Sequence, residues 1–224
     1  MKPPTLKKNA KAAIDDSADR AHSLAIVPVS RETEERFAIF VGLLHRWQTI
    51  KNLVGPSTLD TVWTRHIADS AQLVALAPMA RRWVDLGSGA GFPGIVIGIM
   101  IRDLDGARVD LVESNERKCA FLREAVRATG SAARVHMGRI ENVLPTLDRS
   151  VDVVTSRALA PLPDLIAMGD TLLKGGAVGL FLKGDEALPG ETSGASGQAG
   201  DFAYETIPSK THPHARIVRV RTRD

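Results

Sequence analysis

Four glycines fall within eight residues of WVDLGSGAGFPGIVIGIM, residues 83–100, and they constrain the fold more than any other stretch. The apolar run before them is short enough only for a buried strand, and a helix begins at Pro93-Gly94-Ile95. Gly87, Gly89, Gly91 and Gly94 therefore mark a strand–turn–helix junction. Backbone without Cβ atoms can approach a ligand there, and the helix start presents free N–H groups. The same rhythm continues downstream. RVDLVES (108–114) reads as a second strand, NERKCAFLREAVRATG (115–130) as a helix opened by Asn115 and closed by Gly130, and ARVHMGR (133–139) as a third strand. VDVVTSR (151–157) and GGAVGLFLKG (175–184) supply a fourth and a fifth. Strands alternating with helices predict an α/β fold, a mostly parallel sheet with helices on both faces. The last runs, DFAYETIP (201–208) and ARIVRVR (215–221), lie too close together for a crossover helix and should pair antiparallel.

Upstream, residues 1–29 read as a flexible tail and 30–80 as a helical N-terminal extension, ahead of a main domain at 81–224. Ser30 is a candidate N-cap, and Phe37, Phe40, Val41, Leu44 and Trp47 recur at helical spacing. After a break at Gly55-Pro56, Ser57 with Asp60 resembles a capping box opening a second helix to about Ala77. The N-terminal stretch lacks the apolar segment of a secretory signal, and no apolar run reaches membrane-span length. One cysteine, Cys119, excludes an internal disulfide and a thiolate metal cluster, so no metal is expected and a cytoplasmic location is. LPGETSGASGQAG (188–200) is low in complexity and predicted mobile. No large apolar face is left over, which predicts a monomer. Net charge is only +3, but basic residues gather at the ends. Arg219, Arg221 and Arg223 should share one strand face, either solvated or facing a polyanion.

Two fingerprints overlap in the glycine loop. Gly87, Gly89 and Gly91 form G-x-G-x-G, as in S-adenosylmethionine loops; Gly89, Gly91 and Gly94 form G-x-G-x-x-G, as in dinucleotide loops. Glu113, at the end of the second strand, would accept ribose hydroxyls in either case. Asp85 separates them, because a carboxylate just before the first glycine can accept from an amino acid's ammonium, directly or through water. A dinucleotide has no ammonium. The loop also spends three glycines before Phe92, and Pro93 stands where a pyrophosphate needs N–H donors. No second domain follows to hold a hydride acceptor. These features favour S-adenosylmethionine as cofactor and a methyltransferase as the enzyme.

The acceptor atom sets what such a site needs. Enzymes acting on exocyclic amines of bases usually carry an Asn/Asp-Pro-Pro-aromatic motif after the fourth strand; here the chain reads TSRALAPLPD. Carbon-5 of a pyrimidine needs a cysteine nucleophile, and Cys119 falls on an apolar stripe with Leu122 and Val126. What remains is an atom with an available lone pair, needing mainly orientation and loss of water. Guanine N7, a carboxyl and a phenol all qualify.

LHRWQTIKNLV, RHIADSAQL, VDLGSGAGFPGIVIGI, VESNERKCAFLREAV, GRIENV, SRALAPL and LFLKG occur in this order, and the chain resembles the RsmG (GidB) family from about residue 36 to 184, and again at IPSKTHPHARIVRVR. The resemblance implies a class I Rossmann-like methyltransferase fold and methylation of guanosine N7 in the 530 loop of 16S rRNA, with 16S rRNA or a 30S subunit precursor as partner. It also implies cofactor contacts at Gly87 and Phe92, at Ile140 and Glu141 beside the adenine, and at Arg157, joining Asp85, Gly89, Gly91 and Glu113. Arg65 and His66 would border the target-base pocket, with no base needed for N7, and Lys183 would meet RNA phosphate or developing charge. Read as residues alone, His66 is equally a core histidine, and Arg65 and Asp69, four apart, an ion pair. A charged helix common in the family after KG is replaced here by GDEALPGETSGASGQAG. A methyltransferase for another RNA, a protein or a small molecule, and a non-catalytic nucleotide-binding module, are the alternatives.

Overall fold

The computed structural model describes residues 16–50, 52–148, 150–184 and 196–223. Helices α1 (Ser17–Ile26) and α2 (Arg31–Gln48) lead, followed by a 3-10 turn at Pro56–Thr58. A π-helical segment, Trp63–Ala68, then runs directly into α3 (Asp69–Leu76). Strands and helices alternate from there: β1 (Arg82–Leu86), α4 (Gly94–Met100), β2 (Arg108–Glu113), α5 (Glu116–Thr129), β3 (Ala133–Met137), α6 (Ile140–Val143), β4 (Val153–Arg157), α7 (Leu162–Lys174) and β5 (Val178–Lys183). Strands β6 (Ser196–Ala199), β7 (Phe202–Pro208) and β8 (Arg216–Thr222) complete the described chain. All lie in one sheet ordered β3-β2-β1-β4-β5-β8-β7-β6. β1 to β5 pair in parallel, and β8 runs antiparallel to both β5 and β7. The expected α/β sheet and its antiparallel C-terminal pair are both present.

Successive strand residues face opposite sides. Trp83, Leu180 and Ile217 join the core beneath α2, α4 and α5, whereas Val84, Phe181 and Val218 join the one beneath α7. Both faces are covered, which is why the parallel strands read as apolar runs. The segment expected as a helical extension shares the first of these cores: Phe37 and Phe40 of α2 lie in it with Phe92 and Phe121. Ser30 caps α2 by accepting from the Thr33 N–H, and Asn115 caps α5 by accepting from the Lys118 N–H.

Three expectations need correction. Residues 17–26 of the expected flexible tail are α1, docked on the π-helical segment. The attachment is polar. The Asp19 carboxylate accepts from the Trp63 N–H at 2.8 Å and from the Thr64 N–H, and Asp16 accepts from Trp63 Nε1 at 2.6 Å. Arg20 stacks over the Trp63 ring at 4.9 Å, and Ser23 Oγ donates to the Trp63 carbonyl. Helix starts expose unpaired N–H groups, and Asp19 satisfies two of them. Apolar periodicity could not register such a contact.

Second, Ser57 opens no continuous α-helix to Ala77. It lies inside the 3-10 turn, which has no side-chain cap, and the helical path resumes with the wider π turn. Third, part of the stretch expected to be mobile is a strand: Ser196–Ala199 pairs with Phe202–Glu205 of β7. Backbone pairing at a sheet edge requires no apolar side chains, so the composition concealed it. Residues 188–195 lie outside the described residues.

Replacing Asp19 with Ala leaves two N–H groups of the segment that carries Arg65 and His66 without their acceptor. The expected cost is about 1–3 kcal/mol. Thermal denaturation should show a midpoint about 2–12 °C lower; an unchanged midpoint would mean that the Asp19 bonds contribute nothing to stability.

Candidate active site

The parallel strands end at one edge of the sheet, and a cavity of about 1080 Å³ opens there. Its floor is the glycine loop. Ser88 N–H donates to the Val112 carbonyl, and Ser88 Oγ to the Asp85 carbonyl. Gly89 N–H donates to Glu113 Oε2 at 2.9 Å, while Asn115 N–H donates to Glu113 Oε1 at 2.7 Å. One carboxylate therefore ties the loop after β1 to the turn after β2, and its oxygens still have lone pairs for a ligand. Gly87 has φ +65°, and a Cβ there would stand 2.7 Å from Leu159 Cδ1. The backbone angle favours glycine, whereas the Leu159 side chain could swing aside.

Gly87, Gly89, Phe92 and Glu113 line the cavity, as do Ile140 and Glu141 on the next rim segment. Arg65, His66, Arg157 and Lys183 line the opposite wall. The structure thus brings ten of the expected residues together. Two are placed otherwise. Gly91 sits beneath the loop, with Phe40, Ile95 and Leu122 against the position of a Cβ. Asp85 has no solvent-accessible surface; its Oδ2 accepts from the Gly94 N–H at 3.2 Å, and its Oδ1 has no hydrogen-bond partner among the described residues. Asp85 therefore lies behind the loop rather than on the cavity wall, because Gly94, lacking a side chain, lets α4 begin directly above it. Burial pushes its pKa up to about 7.

Aromatic contacts connect α2 to the cavity. Phe40 lies 5.1 Å from Phe92, and His66 stacks on Phe92 at 4.9 Å and 26°. The Arg157 guanidinium sits over the same Phe92 ring at 5.0 Å. Phe92 is thus both core and wall, only 4% exposed. Arg157 donates to the Arg65 carbonyl at 3.1 Å and faces Asp69 at 3.8 Å. Burial draws its pKa down, opposed by the Asp69 and Asp85 carboxylates. His66 Nε2 pairs with the Thr58 hydroxyl at 2.9 Å. Burial first, then the charges of Arg157 and Arg65, pull its pKa down to about 3, so the ring is neutral at ordinary pH. Lys183 Nζ donates to the Ala160 carbonyl. Ala158, following Arg157, holds φ +53°, the sole non-glycine positive φ among the described residues. Such strain is common where a backbone is shaped around a site.

The expected Arg65–Asp69 ion pair is absent. The π turn widens the winding between them, and Asp69 turns instead to Arg157, Gln72, Ser209 and Thr211. These partners of Asp69, and the hydroxyl of Thr58, escaped sequence reasoning; only the abundance of short polar side chains in IPSKTH hinted at a polar clamp. Cys119 is buried beside β2, with its thiol donating to the Glu113 carbonyl, as expected of a core residue. Of the C-terminal arginines, Arg219 is half-buried and paired with Glu205 at 2.7 Å, whereas Arg221 and Arg223 are exposed.

A family model described as rRNA small subunit methyltransferase G (GidB) matches residues 33–196. The chain belongs to this family. A curated relative from Methylobacterium sp. (strain 4-46), named ribosomal RNA small subunit methyltransferase G, is 54% identical over 91% of this chain and 95% of its own. One of the same name from Methylobacterium nodulans is 53% identical over the same shares. Among solved structures, a cofactor-bound protein from MTB aligns with a TM-score of 0.59 at 15% identity, over 92% of this chain and 96% of that one. A SAM-dependent methyltransferase from Aquifex aeolicus aligns with a TM-score of 0.51 at 16% identity, over 77% and 96%. These two likenesses concern the fold. No described helix is long and apolar enough to cross a membrane.

As a member of this family the chain is an rRNA methyltransferase, and its cavity fits the family's methyl donor. Gly87, with φ +65°, lets bare backbone line the cavity, and Glu113 offers acceptors at the end of β2.

Asp85 also sets a pH dependence. Its pKa is raised from 3.8 to about 7 in the fold, so its contribution to stability is complete below about 4 and is lost as pH rises through 7. His66 acts in the opposite sense, lowered from 6.5 to about 3, and destabilises the fold as pH falls below 6.5. Urea denaturation of native protein and Asp85→Asn in parallel isolates the first effect. The native stability should fall relative to the variant between pH 4 and 8, by on the order of a few kcal/mol; parallel curves would refute a buried, unpaired carboxyl.

Proposed function

We propose that this enzyme transfers a methyl group from S-adenosylmethionine to N7 of a guanosine in the 530 loop of 16S rRNA. When bound, the cofactor supplies an electrophilic sulfonium methyl group, open to in-line attack by a lone pair. Glu113 would hold its ribose hydroxyls, Gly87 its amino-acid end, and Ile140 with Glu141 its adenine, while Asp85 supports the loop from behind through the Gly94 N–H. Phe92 closes the floor and excludes water.

The opposite wall supports N7 as the acceptor. N7 carries a free lone pair and no proton, so the reaction requires placement rather than a general base. The cavity matches that requirement. Its histidine is held neutral, wedged against Phe92, with a pKa too low for a useful base at neutral pH. The chain's cysteine is buried beside β2, which argues against a covalent route to carbon-5. Arg65 and Arg157 present planar donors suited to O6 of guanine, which leaves the N7 lone pair free, and Arg157 is fixed by its stack on Phe92 and its bond to the Arg65 carbonyl. Lys183 stands at the end of β5, where a phosphate of the flipped nucleotide would pass. The family membership of the chain carries the choice of ribosomal RNA.

Mass spectrometry of 16S rRNA from a strain lacking the gene should reveal one guanosine short of one methyl group, restored by the native gene. An unchanged methylation pattern would sink the proposal. In a purified system, Arg157→Ala should slow methyl transfer to 30S subunits by about a hundredfold while retaining adenosylhomocysteine affinity within about tenfold. Glu113→Ala should weaken adenosylhomocysteine binding by at least about tenfold in calorimetry.

A further inference from the structure

The connection between β7 and β8, residues 209–215, meets the site only through Asp69 and Ala215, yet several polar bonds fix it in place. Sheet geometry brings it to the cavity. Pro208 pairs with Arg216, and Arg216 pairs with Lys183, so the hairpin leaves the sheet level with the end of β5. Ala215, at its base, lines the cavity.

Helix α3 grips the connection from the other side. Asp69 Oδ1 accepts from Ser209 Oγ at 3.1 Å and from Thr211 Oγ1 at 2.8 Å. Gln72 Oε1 accepts from the Lys210 N–H at 2.9 Å, while Gln72 Nε2 donates to Ser209 Oγ at 2.9 Å and Asp69 Oδ1 at 3.0 Å. The other carboxylate oxygen of Asp69 faces Arg157. One side chain thus touches both the cavity wall and the loop. Inside the loop, Arg216 donates to the Pro213 and Ala215 carbonyls, and the rings of His212 and His214 lie 5.7 Å apart.

The charge is one-sided. From Thr206 to Arg223 the chain contains no acidic residue, while Lys210, Arg216, Arg219, Arg221 and Arg223 are basic. Lys210 is exposed, and no described residue engages its ammonium, although its backbone N–H is pinned. A cationic side chain on an immobilised backbone beside a cavity mouth loses little freedom when it meets an anion. Phosphates of a nucleic-acid strand are the anions that would run past a cavity taking a single base.

We infer that residues 209–215 form a docking loop for the RNA backbone flanking the methylated guanosine, with Lys210 as its phosphate contact and Asp69 as the positioning residue that keeps loop and Arg157 in register. The inference rests on the proposed rRNA substrate and adds where that substrate is gripped. Methyl transfer to undermethylated 30S subunits, measured against KCl concentration, tests it. Lys210→Glu should raise KM for subunits by about tenfold or more and reduce the slope of log KM against log salt by about 0.7. Adenosylhomocysteine affinity and kcat at saturating subunits should stay within about twofold, and Lys210→Arg should restore KM. The double change Ser209→Ala, Thr211→Ala leaves the charge untouched and should still raise KM several-fold. Native KM and salt slope in Lys210→Glu would overturn the inference. So would a parallel loss of adenosylhomocysteine affinity, which would make the loop part of the cofactor scaffold. A native enzyme that methylates neither subunits nor free 16S rRNA would remove the substrate assignment itself, a result separate from either of these.

Discussion

Two carboxylates hold the glycine loop in the shape on which the rest of the site depends. Asp85 binds the Gly94 N–H from below, and Glu113 binds the Gly89 N–H from the side. A loop with positive φ at Gly87, Gly89 and Gly91 makes few contacts of its own beyond the Gly91 N–H to Ser88 carbonyl bond. Its backbone donors need acceptors, and these come from neighbouring strands. The cost falls on Asp85, whose buried oxygen goes without a partner and whose acidity is strongly weakened. Glu113 retains its acceptors at the surface of the cavity. The same two groups therefore build the floor, and Glu113 alone offers it acceptors.

The opposite wall is built by packing. Trp47, Phe121, Phe40, Phe92 and His66 form a run of ring contacts from α2 across the core to the cavity. Arg157 closes the run by lying over Phe92. Helix α2 is remote in sequence from the glycine loop, yet it determines where the loop's aromatic residue stands. A preorganised wall of this kind suits a reaction that needs alignment more than proton transfer.

Much of this was legible in the chain. Strand positions, the parallel order and the glycine loop follow from local period and from residue types with a single structural use. Eight of the ten expected cavity residues meet because a parallel sheet delivers its strand ends to one edge, and the π-helical segment brings Arg65 and His66 to them. What escaped has a common physical cause. The docking of α1 rests on carboxylates and an indole, β6 largely on backbone pairing, and the Asp69 clamp on partners about 140 positions away in sequence. None of these leaves an apolar rhythm. The position of Asp85 also escaped, because proximity in sequence to a loop does not reveal which side of it a carboxylate occupies.

The π turn at Trp63–Ala68 arises from winding the chain more widely than an α-helix would. It keeps Trp63 and Ile67 inside while turning Arg65, His66 and Asp69 toward the cavity. Spacing between residues 62 and 69 is therefore as much a part of the site as the side chains themselves. A lineage could exchange one cation for another here, but a single codon gained or lost would spin the wall about the helix axis and scatter its members. Length, in this short stretch, is under the same guard as chemistry.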